Sequence, residues 1–233
     1  RTAIGGGLNG DFETDFVPGR GYLVAFRESS TKTFSGTLNV GNYPYTGLTY
    51  TSGTYYPGWH LLGNPYASAL KFNQGSWNRT NVSSIAQIWK EATASYKVLT
   101  TAMEIPAMNG FMVYTTGNGS ITIPADARIH SDSNWYKQAQ SFEGIVLVAD
   151  DPEGGTSQET MIRFDPQSTE GYDFDLDSYY LAGFAPAFYS KSLGKNFALN
   201  TLPAFDLSMV IPLGFVKNGL SLFSIRLDRN ISG

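Results

Sequence analysis

Three aspartates two residues apart, in the stretch "GYDFDLDSYY" (Gly171 to Tyr180), are the side chains best suited to chemistry. In an extended strand alternate residues point the same way, so Asp173, Asp175 and Asp177 are expected on one face. Three like charges that close repel unless water or a hard cation separates them, and carboxylate oxygens suit Ca²⁺. The EF-hand pattern is not met, because Ser178 stands where its glycine belongs and Phe184 where its bidentate glutamate belongs. The competing reading is a half-buried edge strand whose acidic face discourages pairing with other sheets. Asp150, Asp151 and Glu153 form a second acidic cluster that reads as a turn.

Aromatic side chains offer a different chemistry. Trp77, Trp89, Trp135 and Tyr136 would stack on sugar rings if they shared an exposed face, with Asn73, Gln74 and Asn78 as hydrogen-bonding neighbours of Trp77. In a β protein such residues more often build the core. Catalytic groups are scarce. The only histidines are His60 and His130, and neither G-x-S-x-G nor H-E-x-x-H occurs. Asp and Glu are too scattered to nominate a glycosidase pair. Gly5 to Gly10 fits G-x-G-x-x-G in letters, but turn-like residues follow where a dinucleotide site needs a helix. The reading is a non-enzyme.

The elements that must carry these residues are short and extended. Of 233 residues, 42% are hydrophobic, only 15% are charged, and Gly (25), Phe (15) and Tyr (14) abound, which favours strands and turns over helices. The net charge of −4 without a basic cluster removes the electrostatic footprint of nucleic-acid binding. No apolar run is long enough to span a bilayer. With no cysteine, disulfides, thiol catalysis and Cys-bound zinc are excluded.

Strands are expected at 22–26, 33–38, 59–62, 111–114, 120–123, 144–149, 160–164, 207–211 and 220–227, with Gly117-Asn118-Gly119 as a turn. Ser84 to Ala94 contains good helix formers, but a hairpin with strands 85–90 and 96–99 suits the surroundings better. At Gly63-Asn64-Pro65-Tyr66, proline ends the preceding strand and restricts Asn64, while Tyr66 can bury its ring and place its hydroxyl on a carbonyl. That corner reads as architecture. Val17 to Val24 resembles Ile105 to Val113, which suggests a duplicated hairpin unit. The polar stretch near Tyr136 to Phe142 reads as a boundary. The expected fold is all-β, with tandem β-sandwich (jelly-roll or Ig-like) units of mostly antiparallel strands at 1–137 and 138–233, the second truncated at its C-terminal end.

The ordered series "GWHLLGNPYASALKFN", "IPAMNGFMV", "ITIPADARIH", "ETMIRFDPQSTEGYDFDLDSYYLAG", "FALNTLP" and "VIPLGF" resembles a region of large secreted proteins of Bacteroidota. That region precedes the C-terminal sorting domain of the type IX (Por) secretion system. The resemblance implies an extracellular, surface-anchored, non-enzymatic structural or adhesive module whose partners are neighbouring domains of the same chain or other surface proteins. In that family the chain continues past the point matched by Ser224 to Gly233, so the sequence reads as a piece of a longer protein. The alternative expectation is a carbohydrate-binding module, stabilised by Ca²⁺ at the three aspartates.

Overall fold

A computed structural model of the chain describes residues 19–22, 36–99, 103–130, 144–219 and 222–229. It is an all-β fold of packed, mainly antiparallel sheets. The first sheet has five strands: β1 (Tyr43–Leu48), β2 (Trp59–Gly63), β4 (Asn78–Lys90), β5 (Ser95–Val98) and β7 (Gly110–Ile123). Its order is β1-β7-β4-β5, with β2 also paired to β7. A small sheet combines β3 (Ala69–Lys71), β6 (Glu104–Ile105) and β8 (Arg128–Ile129) in the order β6-β3-β8. The third sheet contains β9 (Ile145–Asp151), β10 (Thr156–Phe164), β11 (Ser178–Tyr179), β12 (Ala187–Ser192), β13 (Lys195–Leu202), β14 (Leu213–Val216) and β15 (Ser224–Arg229). It runs β14-β12-β13-β10-β9-β15, with β11 on β13, and β10–β13 is the parallel pair.

The alternation of β4 explains how the sheets stack. Ala86 and Ile88 enter a core with Leu62, Leu70, Ile105 and Phe111, between the five-stranded and the small sheet. Ile85 points the other way and packs, with Val98 of β5, against Val146, Val148, Met161 and Leu199 of the third sheet. The five-stranded sheet is therefore covered on both faces, and its residues contribute to both apolar clusters.

The Ser84–Ala94 ambiguity is resolved as a hairpin: β4 and β5 pair antiparallel around a 3₁₀ turn at Glu91–Thr93, closed by Ala94 at φ 52°. Other expectations change. Residues 111–114 and 120–123 belong to one strand, β7, and no reverse turn separates them. Gly119 has a different purpose there, since a Cβ would lie 2.9 Å from both the Thr80 carbonyl and the Thr115 hydroxyl. The glycine marks close backbone approach beside a register shift in β4, with Asn81 at φ 52°. Residues 207–211 are a loop: Asp206 accepts the Ser208 N–H and hydroxyl, and its carbonyl accepts Met209 N–H, which replaces ladder pairing. Of the expected strand 33–38, the described residues Gly36 to Leu38 are not strand.

The two similar stretches meet at β2. Leu62 pairs with Phe111 on one edge and bridges Arg20 on the other. Most of the first stretch, and the boundary expected near Tyr136 to Phe142, lie outside the described residues. No described helix is long and apolar enough to cross a membrane.

Candidate functional site

The segment from β10 to β12 holds the three aspartates, and it is not extended there. Leu176 N and Asp177 N both donate to the Asp173 carbonyl, at 3.0 and 2.8 Å, so Asp173 to Asp177 forms one tight turn. The premise of a shared strand face is therefore corrected. Aspartates bond readily to local backbone N–H groups, and here that competition prevails over strand pairing.

Each carboxylate has its own task. Asp173 accepts Thr169 N at 2.6 Å and the Thr169 hydroxyl. Asp175 reaches the first half of the chain and accepts Ser84 N at 2.7 Å. Asp177 is buried and takes Asp173 N at 2.7 Å on one oxygen and Thr201 N at 2.6 Å on the other. Burial pushes its carboxyl up to about 6, against the lowering effect of those N–H donors. Among the described residues no three His, Asp or Glu side chains converge as a metal site. Asp151 caps the β9–β10 turn through Glu153 N and Gly154 N, and Asp150 pairs with Arg226.

The two described tryptophans nominated for sugar binding, Trp77 and Trp89, are half-buried and each has partners within the chain. Trp77 lies edge-on to Phe72 and Phe111, at 4.9 and 6.3 Å between ring centroids, and donates Nε1–H to the Lys71 carbonyl. Trp89 packs on Tyr96 and Phe184 and donates Nε1–H to Glu91. Trp135 and Tyr136 lie outside the described residues. Among the described residues the exposed tyrosines include Tyr50 and Tyr55, with Tyr56 set edge-on to Tyr55 at 5.6 Å, and Phe184, Phe205 and Phe215 are exposed as well. His60 Nε2 lies within hydrogen-bond distance of both the Thr49 N–H and the Thr49 carbonyl, accepting from the first or donating to the second according to its tautomer. His130 is exposed.

What the segment Tyr172 to Ala185 does is join the halves. Ser83 donates to the Phe174 carbonyl, and the buried Gln87 amide donates to Ser178 and to the Tyr179 carbonyl. Phe184 N and Ala185 N converge on the Ala94 carbonyl. Tyr172 stacks on Tyr179 at 4.2 Å, and Tyr114 of β7 meets both rings edge-on. Burial pushes Tyr114 up to about 12 and Tyr172 further still, so these phenols stay neutral. Lys97 and Glu159 pair across the same seam. The period-two pattern of "YDFDLDSYY" signalled the segment's importance but concealed its turn.

The third sheet has a second notable face. A groove of about 230 Å³ is lined by Ile145, Leu147, Ile162 and Phe164, then by the 205–211 loop and Leu213 of β14. β14 and β15 are opposite edges of a six-strand path, roughly 24 Å apart if flat. Yet Phe215 and Phe223, the latter just before β15, have ring centroids 5.2 Å apart. The sheet therefore curls about the apolar groove. No protein-family model matches the chain, and neither the curated proteins nor the solved structures yield a match.

Proposed function

We propose that this chain is a non-enzymatic structural module of a longer extracellular or surface-anchored protein. The motif series quoted above supports this reading through its resemblance to type IX secretion cargo of Bacteroidota. The observation that carries it is the fate of the chemically capable residues. Of the nominated residues that the structure describes, Asp173, Asp175, Asp177, Trp77 and Trp89 all have intramolecular partners. In this reading the module acts by rigidity: it spaces, displays or joins neighbouring domains of its own chain or other surface proteins.

A carbohydrate-binding role is the second reading, and it moves from the tryptophans to Tyr50, Tyr55 and Tyr56. Tyr55 is 94% exposed, which leaves its ring free to stack on a sugar. One screen separates these readings: a glycan array together with ester, glycoside and peptide substrates. The structural reading expects neither retention nor turnover. Retention abolished by Tyr55→Ala would replace it with the sugar-binding reading, and turnover would replace both.

A further inference from the structure

Among the described residues nothing packs over one apolar face of the curled third sheet, and the geometry points to a second copy of this chain as its occupant, in a two-fold pair. β15 states the problem in its alternation. Ser224, Arg226 and Asp228 share one face, where Arg226 pairs with Asp150 and Asp228. Ile225 and Leu227 take the other face and remain about half exposed. Register places Leu227 beside Leu147, and Ile145 beside Ile162, so the apolar face continues across three strands into the groove. The groove lining has one ionisable group, Asp206, and its carboxylate is already engaged by Ser208. An uncharged face asks for an uncharged partner.

Two features favour a copy of the same surface. First, a knob and a hole lie side by side. Leu207 and Val210 belong to the loop that walls the groove, yet are 93% and 85% exposed. A cavity of roughly 150 Å³ accommodates a benzene ring, so a groove of about 230 Å³ has room for such a side chain. A two-fold contact needs this arrangement, because each copy must present both members of every contact. Second, the area is sufficient. Phe205, Leu213, Ile225 and Leu227, with the two knob residues, Met209 and Phe215, are each 37% exposed or more. At roughly 100 Å² of exposed apolar surface each, they offer about 800 Å² per copy, the size of a standard interface. Exposed apolar patches of that extent are uncommon on monomers.

Sedimentation of the whole 233-residue chain tests the pair. The expectation is a species of twice the 25.5 kDa chain mass at roughly 100 µM protein. Leu207→Asp with Leu227→Asp, which puts like charges on both copies of the face, should weaken association by about 100-fold while leaving the near-ultraviolet circular dichroism unchanged. Both sites are exposed, so folding should survive. The chain has no cysteine, so Val210→Cys supplies a sole thiol for a spin label, and a resolved distance between labels on two copies is expected. A monomer at all concentrations, association that survives the double substitution, or an open series of larger species would each overturn the pair. None of these outcomes bears on the proposed structural role, which requires only intramolecular rigidity.

Discussion

Asp177 combines burial with two backbone donors, and the two effects oppose each other. Its carboxyl is raised to about 6, above the unfolded value near 3.9. Between those values the folded chain binds the proton more tightly than the unfolded chain. The stability Asp177 contributes is therefore fully present below about pH 4 and is lost as pH rises through about 6. The shift corresponds to at most about 3 kcal/mol. Urea midpoints for the native chain and Asp177→Asn at pH 4.5 and 7 should show a smaller pH slope in the variant; equal slopes would sink the assignment. Asn cannot accept both N–H groups, so its stability at pH 7 should also fall, by about 1–3 kcal/mol. Asn64 makes the complementary case at the corner. Its Nδ2 faces the carbonyls of Ser68, Ile105 and Pro106 within 3.2 Å, while Oδ1 accepts Tyr66 N. Asn64→Asp turns a donor into an anion among acceptors and should cost about 3–5 kcal/mol at neutral pH. A urea midpoint near that of the native chain would show that the three carbonyls do not depend on the amide.

At the scale of elements, the segment Tyr172–Ala185 fastens one half to the other, and Gly183 sets how closely it lies. A Cβ there would stand 2.4 Å from the Ala94 carbonyl oxygen and 2.9 Å from Ser95 Cα. Because backbone on both sides is fixed by hydrogen bonds, neither neighbour can yield cheaply. Gly183→Ala should destabilise the protein by about 2–3 kcal/mol and raise amide exchange at Phe184 and Ala185, whose N–H groups share that carbonyl. Gly117 is the control, since a Cβ there meets nothing within 4 Å, and Gly117→Ala should be close to neutral. Unchanged exchange at Phe184 in the Gly183 variant would show that the contact is not what holds the segment. The sequence marked Gly183 only as a glycine among apolar residues; the distance to Ala94 depends on a hairpin nearly ninety positions earlier.

Across the whole molecule, what was legible followed from local rules. Alternation and turn residues identified the all-β class, the β4–β5 hairpin and the corner at Asn64, where Tyr66 donates towards the Gly41 and Ile123 carbonyls as a buried tyrosine must. The β12–β13 hairpin was missed because its turn is Leu193-Gly194, with Leu193 at φ 44°, a residue type that rarely announces such a turn. The jobs of Asp175 and Gln87 were illegible for another reason: their partners lie 91 residues away, and no local pattern encodes that distance. Those long-range contacts lead to the last prediction. Ile85 and Val98 sit in the same apolar cluster as Val146, Val148 and Met161, so neither half completes its burial alone. The chain should unfold in one calorimetric transition, with calorimetric and van't Hoff enthalpies equal. Val98→Ala removes two methyl groups from that cluster and should cost about 2–3 kcal/mol. In a chain of this length that lowers Tm by about 4–12 °C. The whole transition should move together, because the cavity lies between the sheets and each half loses the same support. Two transitions, with one unmoved by Val98→Ala, would mean that the seam is a contact between separately stable bodies.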